Sequence, residues 1–310
     1  TDIREKPPIS RNKTEGKFDV KGLSVINGAQ TVGTIASKQE SFYQDKNIKV
    51  LATFIKLDDL NSSVSQKITE YRNLQNNVDL KDFSSLDERQ QRWSEILKIS
   101  NLNYIIKSSS GNVALTDTLL TLKEVARYLA CSYSGRNSPN FIVAANSSVD
   151  KLLKSPLSKK RKREDDPLKN AYDDLFHDSL SSSELWKLGQ VGRITIQTIK
   201  ARASTEANLI DNQDLSSKSI LEEGAFMILH LVYIKIKSQL NLATPSLSTD
   251  EQTIISQNID VIAEKLVQVI NTETWNKQAS SIFTNLSDCR RIKGLMMVAL
   301  AAAQTASEGV

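Results

Sequence analysis

Residues 25–35 read VINGAQTVGTI. The apolar pair Val25 and Ile26 runs into Asn27-Gly28, and a stretch of small and apolar residues follows at once. Asn-Gly suits the left-handed backbone of a tight turn. In a hairpin the next segment would be a second strand. Here Val32 and Ile35 recur at helical spacing, so the stretch reads as a strand–turn–helix joint. Such a joint aims free backbone N–H groups at one point, where they attract anions and where Gly28 lets a ligand come close. Asn27, Gln30 and Thr31 surround that point. A plain turn with Thr31 capping the helix accounts for the same letters. The motif holds no Lys or Arg, which separates it from a P-loop.

Working outward, residues 20–26 read as a strand and 29–38 as a helix. Residues 47–57, NIKVLATFIKL, are β-branched and apolar on both faces, as in a central strand. Ser62 and Ser63 can cap a helix from Val64 that stops near residues 73–79. After that the period is helical: 86–99, 114–133 begun by a cap at Thr116, then 180–200, 219–240 and 250–271. In the last, Ile255, Ile259, Ile262, Leu266 and Val269 step by three or four, and Ser248 with Glu251 forms a capping box. The expected fold is therefore α+β. Residues 1–83 make a small α/β part, and residues 84–310 an α-helical domain with a charged loop near 154–170. The first 22 residues, with Pro7-Pro8, read as an exposed loop leading into the first strand. The chain starts without Met, so a preceding N-terminal region is expected to be missing.

The totals narrow the classes. The chain has 310 residues, 39% hydrophobic and 25% charged, with a formal charge of +4. This is globular composition, and its mild basicity tolerates a nucleic-acid partner without demanding one. Cys131 and Cys289 form no spaced pair, and His177 and His230 stand alone, so no cofactor is evident. A reduced, cytoplasmic setting fits. The longest apolar run, AFMILHLVYIKI, is interrupted by His230 and Lys235 and reads as a buried helix, so no membrane partner is expected. No signal peptide is visible.

A second polar constellation lies in residues 70–83, EYRNLQNNVDLKDF. Arg72, Asn73, Gln75 and Asn76 crowd the end of a helix. Amides donate and accept at once, as reading a base requires. A left-handed Asn cap explains one of them and leaves the others unexplained. A third feature is the run Lys159, Lys160, Arg161, Lys162 and Arg163, followed by three acidic residues. It reads either as a solvated mobile loop or as a phosphate-contacting, nucleic-acid-binding patch.

These segments resemble a family. GLSVINGAQTVGTI, then IKVLATFIKL, then ITEYRNLQNNVDLKDF are similar to the abortive-infection phage-resistance (AIPR) family. Its hallmarks are a VNGAQT turn and an N-x-Q-N-x-V-x-x-x-D-F segment, here at residues 27–31 and 73–83. NAYDDLFHDSL, residues 170–180, resembles a weaker helical element of the same family. The resemblance implies a bacterial anti-phage role, often beside restriction–modification genes, with other defence-system proteins as partners. It does not imply a biochemical activity. More distantly, the strand–turn–helix plan resembles the ParB/sulfiredoxin-like fold, here incomplete. There a G-x-x-R turn holds phosphates, whereas Thr31 stands where the basic residue would lie.

Three functions follow. Both polar segments can form one pocket for a nucleotide or nucleic-acid end. Alternatively, Asp79, Asp82 and Asp87 can hold Mg²⁺ in a nuclease or nucleotide hydrolase, since carboxylates with open positions activate water. D-x-x-D beside a helix start is more often a cap. The last alternative is a pure interaction module in which the amides are structural.

Overall fold

The computed structural model describes residues 2–6, 17–21, 87–106, 116–153, 166–206 and 215–308. The chain divides into two compact units, Thr1–Val78 and Asp79–Val310.

In the first unit the described residues are two strands, β1 (Asp2–Lys6) and β2 (Lys17–Lys21). They pair antiparallel, with Asp2 opposite Lys21 and Lys6 opposite Lys17. The opening of the chain is thus a paired strand where the sequence suggested a loop, and the second strand begins at residue 17. Five-residue strands are too short for a clear period-2 signal, and Pro7-Pro8 marks only the connection between them. The NGAQT joint and the strand expected at 47–57 lie outside the described residues.

The second unit is predominantly helical. Its first helix, α1 (Glu88–Ile99), starts on Asp87, whose carboxylate accepts from the Arg89 backbone N–H. It ends in a Schellman turn. Asn101 adopts φ 57°, Asn101 N–H donates to Lys98 O, and Leu102 N–H donates to Leu97 O. Asn tolerates that left-handed position better than most residues. The chain then forms β3 (Asn103–Ile105), which pairs in parallel with β4 (Leu119–Thr121).

This pairing corrects two expectations. Strands are not confined to the first 83 residues, and the helix expected from Thr116 begins at Leu122. Thr121 is the stronger start. Its hydroxyl accepts from Glu124 N–H while the Glu124 side chain accepts from Thr121 N–H. Arg193 locks this box by donating to Glu124 and to Thr116 O. Leu119–Thr121, ending on the box's own Thr121, are thereby left to pair as a strand.

The helices that follow are α2 (Leu122–Ser132), α3 (Ser138–Ser147), α4 (Ala171–Leu175), α5 (Ser182–Glu206), α6 (Ser217–Ile236), α7 (Thr249–Thr272), α8 (Ala279–Thr284) and α9 (Leu286–Glu308). Helix α6 is the axis. It packs against α2, α3, α5, α7 and α8, and it is buried on nearly every side from Ile220 to Ile236. A helix that is apolar all round belongs in the centre of a bundle. No described helix is long and apolar enough to cross a membrane. Helix α7 starts on the expected Ser248–Glu251 capping box. His230, in the middle of α6, is fully buried, and its Nδ1–H donates to Cys131 O at 2.7 Å. Burial is the main force that depresses its pKa, to about 4, so it sits in the core as neutral imidazole.

Two glycines set how closely α5 approaches α2 and β4. A Cβ on Gly192 would lie 2.3 Å from Tyr128 Cγ, and one on Gly189 would lie 2.5 Å from Leu120 Cδ1. These contacts need the missing side chain, not glycine's backbone freedom.

Candidate functional site

The expected ligand residues Asn27, Gly28, Gln30, Thr31, Arg72, Asn73, Gln75 and Asn76 lie outside the described residues. So do Asp79, Asp82 and the basic run at residues 159–163. The described residues resume four positions after Phe83, at Asp87.

Asp87 is the hub of a polar network. Its carboxylate takes the Arg89 backbone N–H at 2.9 Å, Arg89 Nη2 at 2.7 Å and the Tyr172 hydroxyl at 2.8 Å. Tyr172 in turn accepts from Gln90 Nε2 at 3.1 Å, and Gln90 Oε1 accepts from the Tyr104 hydroxyl at 2.6 Å. One relay therefore runs from β3 through α1 to α4. Arg89 extends it by donating to Phe176 O at 2.6 Å and pairing with Asp173 at 3.0 Å. Trp93 Nε1–H closes the far end on Leu180 O at 3.1 Å.

The electrostatics agree with the geometry. Burial pushes the Asp87 carboxyl up, but the Arg89 and Tyr172 bonds outweigh it and hold it below its ordinary range. Arg89 is raised, chiefly by its bond to Asp87. Tyr104 is fully buried and pushed well above 10 by burial, with the nearby Asp87 charge adding to it. Asp87, Arg89 and Tyr104 are thus each fixed in one protonation state near neutral pH, as a structural clamp requires. Asp87 caps a helix and its oxygens are filled by donors, so it does not present the open carboxylate that the Mg²⁺ reading asked of it.

The same short helix has a second side. Leu129, residues 132–135, Asp174, Leu175, His177, Leu180, Glu184, Leu188 and Lys237 line a cleft of about 290 Å³. Leu129, Leu175, Leu180 and Leu188 lie beneath it and are themselves buried, so they present little surface to it. Asp174, His177, Glu184 and Lys237 bring charge and polarity to it. Lys237 Nζ lies 3.7 Å from Glu184, and His177 Nδ1 lies 2.8 Å from Ser179 Oγ. Burial, helped by Asp173 next door, raises the Asp174 carboxyl. Sequence reading placed no site on NAYDDLFHDSL, although it singled the segment out. The signal available was its two adjacent carboxylates after a Tyr, whose partners lie some 85 positions upstream.

A helical unit whose first described helix is clamped to a short later one describes a class of protein, not a reaction. The AIPR protein family matches residues 5–288, more than nine-tenths of the chain. The chain therefore belongs to the AIPR family, and this membership points to an abortive-infection, anti-phage role. No curated protein and no solved structure matches it.

Proposed function

We propose that this AIPR-family protein acts in abortive infection by binding a nucleotide or a nucleic-acid end. The NGAQT turn supplies Asn27, Gly28, Gln30 and Thr31. Arg72, Asn73, Gln75 and Asn76 supply the second set of polar groups. The helical unit is the rigid support, and other defence-system proteins are the partners it would meet. The observation that supports this reading is the relay centred on Asp87. It fixes the chain a few residues beyond the amide-rich segment, which is what a binding segment needs if its polar tips are to hold one geometry.

The test pairs a ligand screen with a plaque assay. A ligand that binds only the folded protein raises its melting temperature, so nucleotides and short oligonucleotides are screened with and without Mg²⁺. Gln30→Ala and Asn73→Ala are expected to abolish both the ligand-induced shift and protection against phage, with the ligand-free melting temperature unchanged. Variants that keep protection, or lose it only by unfolding, would refute the reading. Replacing Lys159, Lys160, Arg161, Lys162 and Arg163 by Ser reports on the basic run. Loss of phosphate contacts flattens the log–log salt dependence by about 0.9 per contact for duplex DNA.

A further inference from the structure

We propose that residues 171–180 form a strap that opens as a unit of its own, releasing α4 while the bundle around α6 stays folded. The strap does not depend on the nucleotide-binding reading.

Its fastening is the first observation. Among the described residues, every hydrogen bond by which 171–180 reaches another element ends on Asp87, Arg89, Gln90 or Trp93. Two of these bonds hold main-chain carbonyls, Phe176 O at 2.6 Å and Leu180 O at 3.1 Å. The ring contacts fall on the same stretch. Trp93 lies 6.1 Å from Phe176 between centroids, and the Arg89 guanidinium lies 5.6 Å over the Tyr172 ring.

The second observation is what the strap is not fastened to. Helix α6 packs against α2, α3, α5, α7 and α8, whereas the main contacts of α1 are with β3 and α5, and that of α4 is with α2. The strap and its anchor therefore lie beside the bundle axis. The tie between α5 and α7, Lys187 to Glu251, does not run through them.

The third is cooperativity. The five residues of α4 cannot persist as a helix without tertiary contacts. A half-open strap would leave buried carbonyls without donors, whereas a fully open one returns them to water. The strap therefore has two states. Opening uncovers Trp93, Tyr172 and Phe176, and it takes Asp174 and His177 out of the cleft lining. A segment that passes between order and disorder is a switch for any partner that prefers one state.

Amide hydrogen exchange of the full chain tests this. The strap probes are the N–H groups of Asp174, Phe176 and Leu180, which donate to Asn170 O, Tyr172 O and His177 O. The reference probes are those of Leu229, Leu231 and Val232 in the buried middle of α6. The strap probes are expected to exchange at least about tenfold faster, and with a weaker dependence on sub-denaturing urea, because a local opening exposes less surface. Lys187→Met supplies the decisive comparison. It removes a tie that the open-strap state keeps, so it shifts global unfolding alone. Exchange in α6 is expected to quicken on the order of a hundredfold, while the strap probes keep their parent rates. The proposal is overturned if Lys187→Met quickens both sets by the same factor, or if the strap probes of the parent follow α6 in rate and urea dependence. Should the variant fail to fold, the urea dependence of the parent decides by itself.

Discussion

Lys187→Met is the most informative stability test the structure offers. Lys187 lies on α5 with no exposed surface, and its Nζ is 2.9 Å from both oxygens of Glu251 on α7. Glu251 also accepts backbone N–H groups from Asn241 and Ser248, each at 2.8 Å. Met keeps the stem and removes the charge, leaving a buried carboxylate without a counterion. One-sided removal from a buried pair costs about 3–5 kcal/mol. The two surviving backbone donors place the expectation at the lower end, about 3 kcal/mol. For a unit the size of Asp79–Val310, each kcal/mol lowers the melting temperature by about 2–4 °C, so the expected drop is roughly 6–12 °C.

The acid limb gives a second readout. Burial pushes the Glu251 carboxyl up, but its bonds to Lys187, Ser248 and Asn241 prevail and bring its pKa down from 4.5 to about 2. A folded-state pKa below the unfolded value means stability that is fully present above about pH 4.5 and is lost as pH falls towards 2. The loss is on the order of 3 kcal/mol for a shift of this size. Thermal denaturation of parent, Lys187→Met and Lys187→Met/Glu251→Gln, at pH 7 and down the acid limb, measures both effects. The double variant should recover at least half of the loss, because it removes the orphan charge. The reasoning fails if the single variant stays within about 1 kcal/mol of the parent, or if the single and double variants are equally unstable.

Gly192→Ala should destabilise by on the order of 2 kcal/mol, since the new methyl meets the root of the Tyr128 side chain rather than a free end. Gly189→Ala should cost much less, because the Leu120 Cδ1 tip can move aside and alanine gains about 1 kcal/mol of helix propensity. Equal melting temperatures for the two would refute the distinction. Arg89→Ala strips Phe176 O of a donor and Asp87 and Asp173 of a cation. A loss of about 1–3 kcal/mol in urea denaturation is expected, and no loss would show that the relay holds without it.

Much of the helical unit was legible because its cores repeat at helical spacing and its caps are local. Ser248 and Glu251, three residues apart, mark the start of α7 in the sequence and in the structure alike. The errors have equally local causes. In residues 114–121, apolar letters continue the helical pattern upstream, and only the competition between Thr116 and Thr121 decides the boundary. Three- and five-residue strands carry too few alternations to be seen, and whether they pair is settled by partners elsewhere. The site was least legible for the same reason. Tyr172 meets Asp87 across 85 positions and Arg89 meets Asp173 across 84. Periodicity says that each helix has a buried face but not which residues of another helix will meet it.

Helix α4 shows what that distant pairing does. Five residues are far too few to hold a helix in water, where a dozen or more are marginal. Tertiary contacts must therefore create it. Tyr172, Leu175 and Phe176 are buried, and Asp87 and Arg89 bind Tyr172, Asp173 and the Phe176 carbonyl. The groups that face the cleft, Asp174 and His177, are interleaved with these in sequence. Their position is thus a consequence of the clamp rather than of local propensity. The clamp begins at Asp87, directly downstream of the N-x-Q-N-x-V-x-x-x-D-F segment. One set of hydrogen bonds therefore both starts α1 and shapes the cleft.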